Sequence, residues 1–145
     1  MTPSDSSFIR ELSVDDCYTL LGETTTVGRL AFMAESGGQQ LLPVNFVVVE
    51  RVVYVRTADD SIIATLAEGH DDVAFGVDHH DDVMGTGWSV TATGSTRRVD
   101  EVPADPASVD SGRPPHTPRP WAPGDRDVLI ALTPQRITGR RVRRG

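Results

Sequence analysis

The amino-acid sequence predicts a mainly β protein, α+β overall, built as a closed or nearly closed antiparallel barrel with short helices beside it. Three observations carry this. At least six segments of strand length are rich in valine, isoleucine, leucine and aromatic residues, and several alternate apolar with polar positions. Only two short stretches carry helix-start chemistry, one at Ser13 and one at Ser61. Short runs of turn-forming residues join most of the β-segments, leaving no room for long crossover helices.

Residues 1–10 read as a flexible leader and residues 11–145 as a single domain. In "SVDDCYTLLGE", Ser13 is an N-cap type with Asp16 three residues on, a variant of the capping box, so a short helix follows. "VGRLAFMA" is a strand with Leu30 and Phe32 on one face and Arg29 on the other. "SGGQQ" is a turn, and "LLPVNFVVV" is the next strand. Glu50-Arg51 reverses the chain into "VVYVRT" without the Asn-Gly pair that would set a hairpin register. A second short helix is predicted over Ser61 to Glu68, where Ile62, Ile63 and Leu66 recur at helical spacing. "DVAFGVD" resumes as a strand that buries Val73, Phe75 and Val77. "HHDDVMGTG" is an acidic connection, and "WSVTATGSTRRV" is a long strand in which Gly94 marks a bulge or a close backbone approach. Residues 103–123 hold seven of the ten prolines and so form an extended loop. "DVLIAL" and "QRITGRRV" close the barrel as two strands, and the chain has no internal repeats.

Bulk properties remove several function classes. A 145-residue chain can bury one continuous core without covalent staples. The single cysteine, Cys17, excludes an intrachain disulfide and a cysteine-based zinc site. No apolar stretch approaches the roughly 18 residues of a membrane span, and the first ten residues lack the regions of a signal peptide, so a soluble, cytoplasmic protein is expected. A net charge of -7 argues against non-specific nucleic-acid binding. Every basic side chain is arginine, a compositional bias that lowers what any one arginine signifies.

The chemistry-bearing candidates each have two readings. In "VYVRTADDSIIATL" an arginine ends a strand shortly before a helix start. A guanidinium, backbone N–H groups and the hydroxyls of Thr57 and Ser61 make a cradle for a phosphate. The alternative is that Arg56 pairs with Asp59 or Asp60 while Ser61 only caps, and spacing alone favours this second arrangement. "VDHHDD" places His79 and His80 among aspartates, but adjacent strand residues point to opposite faces, which argues for an acidic loop over a metal site. Trp88 and Trp121, the two tryptophans, can cover a planar ligand or close a core or subunit contact. Five arginines in "RITGRRVRRG" can meet an anionic ligand, a partner's acidic surface or only solvent. There is no G-x-S-x-G elbow around a Ser-His-Asp triad, no P-loop and no dinucleotide fingerprint. The histidines at 70, 79, 80 and 116 fall in predicted turns or loops.

Taken as a set, "VGRLAF", "LLPVNFVV", "VYVRTADDS", "VAFGVDHHD", "TGWSVTATGSTRRV" and "RPWAPGDRD…RITGRRV" stand in the order and spacing of a known family. From about residue 10 to residue 143 the chain resembles the pyridoxamine 5′-phosphate oxidase-like, flavin-binding split-barrel proteins. The resemblance implies a six-stranded antiparallel split barrel that forms a homodimer with two FMN sites at its interface. It also implies that Arg56, Thr57 and Ser61 hold the flavin phosphate and that Pro43, Val44, Asn45 and Phe46 run along the ring system. Trp88, Ser89 and Trp121 would approach the ring, and no metal ligand is implied. One departure stands out: the family's turn usually reads R-T-x-x-G-S-K, whereas this chain has Asp60 at the glycine and Ile62 at the lysine. The implied function is an FMN-dependent oxidoreductase with no residue assigned as acid or base. The alternative is a non-catalytic dimer that binds FMN, a deazaflavin or haem for storage or sensing. Pyridoxamine phosphate oxidation itself is not expected, because the chain is short and lacks a clear basic pocket for a substrate phosphate.

Overall fold

The computed structural model describes residues 8–24, 27–104 and 127–144. In chain order the elements are β1 (Phe8–Glu11), α1 (Val14–Glu23), β2 (Gly28–Met33), β3 (Gln39–Val44), β4 (Phe46–Val49), β5 (Val52–Ala58), a 3-10 helix (Ile62–Glu68), β6 (His70–Asp81), β7 (Thr86–Val99) and β8 (Asp127–Arg143). All eight strands belong to one antiparallel sheet in the order β3-β2-β6-β7-β8-β5-β4, with β1 added on the far end of β8. The edge strands β3 and β4 are consecutive in the chain, separated only by Asn45. The sheet therefore curls until its edges converge at that residue. No ladder joins β3 to β4 among the described residues, so the barrel is split there.

Alternation along the strands builds the core as expected. Leu30 and Phe32 of β2, Val73, Phe75 and Val77 of β6, and Val90 of β7 are buried together with Val53, Val55, Val128, Ile130 and Leu132. Phe46 and Phe75 meet edge to face with ring centroids 4.8 Å apart. Ser13 caps α1 by accepting a hydrogen bond from the Asp16 N–H at 3.1 Å, and Cys17 and Leu21 turn into the core. The helix comes very close to β8 at Gly139, where a Cβ would lie 2.8 Å from Cys17 Sγ and 2.9 Å from the Ser89 carbonyl oxygen. On the opposite face of the sheet Val49, Tyr54, Leu129 and Ala131 form a second buried cluster beneath Val99 and Val102.

Five sequence expectations change. Phe8–Glu11, within and just past the expected leader, pair with Arg140–Arg143 as β1. "LLPVNFVVV" is two strands, because its first half pairs with β2 and its second with β5, and the chain breaks at Asn45 to serve both. The acidic connection after Asp78 is largely strand: β6 runs to Asp81, carrying His70, His79 and His80, and β7 starts at Thr86. "DVLIAL" and "QRITGRRV" are one continuous strand of 17 residues. The strand count is thus eight where the resemblance implied six. The second helix is present, but with 3-10 geometry. Of the two readings of Gly94 the close backbone approach holds: the β7–β8 register shifts between Thr93 and Gly94, with the extra residue, Gln135, in β8 opposite the glycine. The β4–β5 reversal uses Glu50 and Arg51, both at positive φ (51° and 66°), the backbone of a two-residue hairpin turn without its usual residues. Arg51 also pairs with Asp15 and lies over the Tyr18 ring, tying this turn to α1. The proline-rich segment falls outside the described residues from 105 onward.

Candidate functional site

β5 ends beside the split in the barrel. Its residue Val55 pairs with Phe46, so the Pro43–Phe46 segment lies next to the strand-to-helix turn. Along β5 the side chains alternate: Val53, Val55 and Thr57 face the core, while Tyr54 and Arg56 face outward. Burial pushes the Tyr54 phenol above its ordinary range, with Arg97 opposing and Glu50 adding to the shift. After Ala58 the chain turns through a Ser61 N–H to Ala58 carbonyl bond of 3.1 Å and enters the 3-10 helix. Ser61 caps that helix, its Oγ accepting from the Ala64 N–H at 3.2 Å. Ile63 and Leu66 anchor the helix in the core. Thr96 fixes its far end, with Oγ1 donating to the Leu66 carbonyl at 2.8 Å and accepting from the His70 N–H at 3.2 Å.

Thr57 and Ser61 thus come together at this turn, whereas Arg56, the neighbouring residue on β5, points to the opposite face. Thr57 Oγ1 and Ser61 Oγ are 2.7 Å apart. Two hydroxyls that share one bond use one of their two hydrogens, so whichever donates, one O–H remains for an outside acceptor. Arg56 has an internal partner, Asp127 at the start of β8, with Nη1 3.5 Å from Oδ2. That pairing takes the role that spacing suggested for Asp59 or Asp60. The ion pair leaves Arg56 Nε and Asp127 Oδ1 buried and without hydrogen-bond partners. Nothing local in the sequence signals Asp127, because only the β5–β8 ladder, which sets Arg56 opposite Leu129, brings it into reach.

The remaining candidates lie elsewhere in the chain. Val44 and Phe46 are buried in the core, leaving Pro43 and Asn45 as the more accessible members of their segment. Pro43 stands opposite Arg29, which reaches Asp78 at 3.5 Å. Arg29, Leu41, Gly76, Asp78 and Ser89 line an open groove of about 300 Å³ on the outer face of β2, β6 and β7. Trp88, adjacent to Ser89, points the other way; its ring lies 6.1 Å from that of His79 at the far end of the same sheet. The β8 register measures the separation: Arg56 is level with Leu129, and Trp88 is level with Arg141. Twelve residues at ~3.3 Å each make a path of roughly 40 Å along a strand that curls with the sheet. Trp121 lies outside the described residues. Among the described residues no group of three or more His, Cys, Asp or Glu is placed to hold a metal ion. No helix among them is long and apolar enough to cross a membrane.

Comparisons with known proteins agree with this architecture. Residues 13–141 match the family model for pyridoxamine 5′-phosphate oxidase. An uncharacterised protein of Mycobacterium tuberculosis is 29% identical over 145 residues, 97% of this chain and 90% of the relative. The solved structure of an FAD-binding protein from Mycobacterium smegmatis superposes with a TM-score of 0.68 at 30% identity, over 90% of this chain and 98% of that one. An FAD- and haem-binding protein from the same organism aligns with a TM-score of 0.62 over 90% of this chain and 72% of its own, but at 13% identity it shares only the fold. By its curled, split antiparallel sheet and by the match along most of its length, this chain belongs to the pyridoxamine 5′-phosphate oxidase family.

Proposed function

We propose that the protein binds a flavin, with Arg56, Thr57 and Ser61 at its phosphate, and works as a homodimer. The observation that carries this is the turn after β5. It offers one uncommitted hydroxyl hydrogen and, from the neighbouring strand residue, a part-exposed guanidinium held by a single 3.5 Å contact, donor chemistry that suits a phosphoryl oxygen. The FAD-binding relative supports a flavin as the ligand. FMN, the flavin implied by the resemblance, and FAD carry the same phosphoryl position on the ribityl chain, so the turn accommodates either.

The placement of the other candidates supports a homodimer. Trp88 lies twelve strand positions from Arg56 along β8, and a two-fold partner can bring its own Trp88 end to this turn. The outer groove, with Leu41 67% exposed, and the exposed Met33 at the end of β2 are apolar surface that such a partner covers. Within the site the Pro43–Asn45 edge borders the ring, and the partner's aromatic surface excludes water from it. The flavin, when bound, supplies the hydride chemistry of an oxidoreductase, and the protein's part is to hold, orient and shield it.

The absorbance spectrum of the purified protein, alone and with added FMN, FAD or haem, is the direct test. Flavin bands near ~370 and ~450 nm support this function, and a Soret band would replace it with haem binding. Subunit mixing tests the shared site. Arg56→Ala and Trp88→Ala proteins should each bind flavin poorly, and mixed dimers should regain one intact site. A monomer by light scattering, with or without flavin, would refute the homodimer.

A further inference from the structure

We propose that Asp127 weakens this site's hold on phosphorylated flavins, disfavouring FMN and FAD relative to riboflavin. This rests on the flavin function proposed above. Asp127 is placed by the ladder: Ala58 pairs with Asp127 and Arg56 with Leu129, so Arg56 and Asp127 are diagonal neighbours on the outer face. Their side chains are 30% and 25% exposed, dry enough for charge to be felt and open enough for a ligand to compete. The contact is a single one at 3.5 Å, not the paired fork of a committed arginine–carboxylate bridge. Arg56 Nε and Asp127 Oδ1 each remain without a partner. Arg56 is therefore half engaged by an internal anion that any incoming phosphate must meet.

The consequence depends on ligand charge. A phosphate monoester carries about −1.5 to −2 at neutral pH, the pyrophosphate of a flavin dinucleotide about −2 over two adjacent phosphorus atoms, and riboflavin none. Asp60 adds another carboxylate to the same turn, and Ile62 supplies no cation there. A phosphate that engages Arg56 lies within several ångströms of the Asp127 carboxylate. At that range one extra ligand charge costs on the order of a tenfold loss in affinity.

Dissociation constants of riboflavin, FMN and FAD, measured by fluorescence quenching for the wild type and Asp127→Asn, test this. Asparagine keeps the shape and removes the charge. FMN and FAD should then each bind about tenfold tighter and riboflavin equally well, so that the FMN-to-riboflavin ratio of dissociation constants falls. In the wild type the same ratio should fall as salt is raised, a second measurement that needs no variant to fold. A ratio unchanged within about twofold by both the substitution and salt overturns the role of Asp127 while leaving flavin binding intact. Failure of the wild type to bind any of the three flavins overturns the flavin function itself, and this role with it.

Discussion

Gly94→Val is the sharpest test of the barrel. Gly94 sits on β7 where the register against β8 shifts, so two backbones crowd at that point. A Cβ there would lie 2.8 Å from the Thr133 carbonyl carbon and 2.9 Å from Pro134 Cα, with the Thr133 carbonyl oxygen nearer still. All three are in the neighbouring strand, and two are in the peptide unit itself, so no side-chain rotation relieves the contact. β8 must move away, and it is the strand that joins β7 to β5. Overpacking a tight site costs about 1–3 kcal/mol, and displacement of main chain puts valine at the upper end. At ~3–4 °C per kcal/mol for a chain of this size, Tm should fall by about 10 °C. Gly22→Ala is the control: nothing lies within 4 Å of the added methyl on α1, and alanine should stabilise the helix by up to about 1 kcal/mol. Thermal unfolding followed by circular dichroism decides. A Gly94→Val protein that melts within about 2 °C of wild type would refute the close approach.

Three further outcomes are expected. Ile62 is 38% exposed at the head of the 3-10 helix, so Ile62→Lys should leave the core undisturbed and restore the cation typical of the family's turn. FMN affinity should rise about tenfold, near 1.4 kcal/mol, and Arg56→Ala should remove FMN binding; an Ile62→Lys protein with unchanged affinity would contradict a phosphate at this turn. Thr96→Val keeps the shape of a buried residue but strips partners from the Leu66 carbonyl and the His70 N–H. It should cost about 2–3 kcal/mol, seen as a lower urea midpoint with unchanged slope. Burial raises the phenols of Tyr54 and Tyr18 above the ordinary 10.0, with Arg97 and Arg51 opposing. Their folded values thus exceed the unfolded ones, so stability is full below about pH 10 and is lost as pH rises through the folded values. Denaturation midpoints that stay flat above pH 10 would show these phenols to be unshifted.

How much of this is legible in the sequence follows from the range of each interaction. The Ser13 cap, the inward set Val73, Phe75 and Val77 and the 3-10 helix started by Ser61 all come from residues within a few positions of one another. Local chemistry determines them, because capping, alternation and turn strain act over one or two turns of chain. The nearness of Thr57 and Ser61 is readable for the same reason, while the family rests on resemblance along the whole chain. Only the tertiary structure decided the rest. "LLPVNFVVV" divides at Asn45 because its halves serve different neighbours, and "DVLIAL" continues into "QRITGRRV" because β7 pairs along the whole length. Periodicity cannot register either event, since strand pairing is a choice between distant segments. Arg56 has its partner in Asp127, and Trp88 stands level with Arg141, for the same physical reason: a ladder joins or separates residues without regard to their distance in sequence.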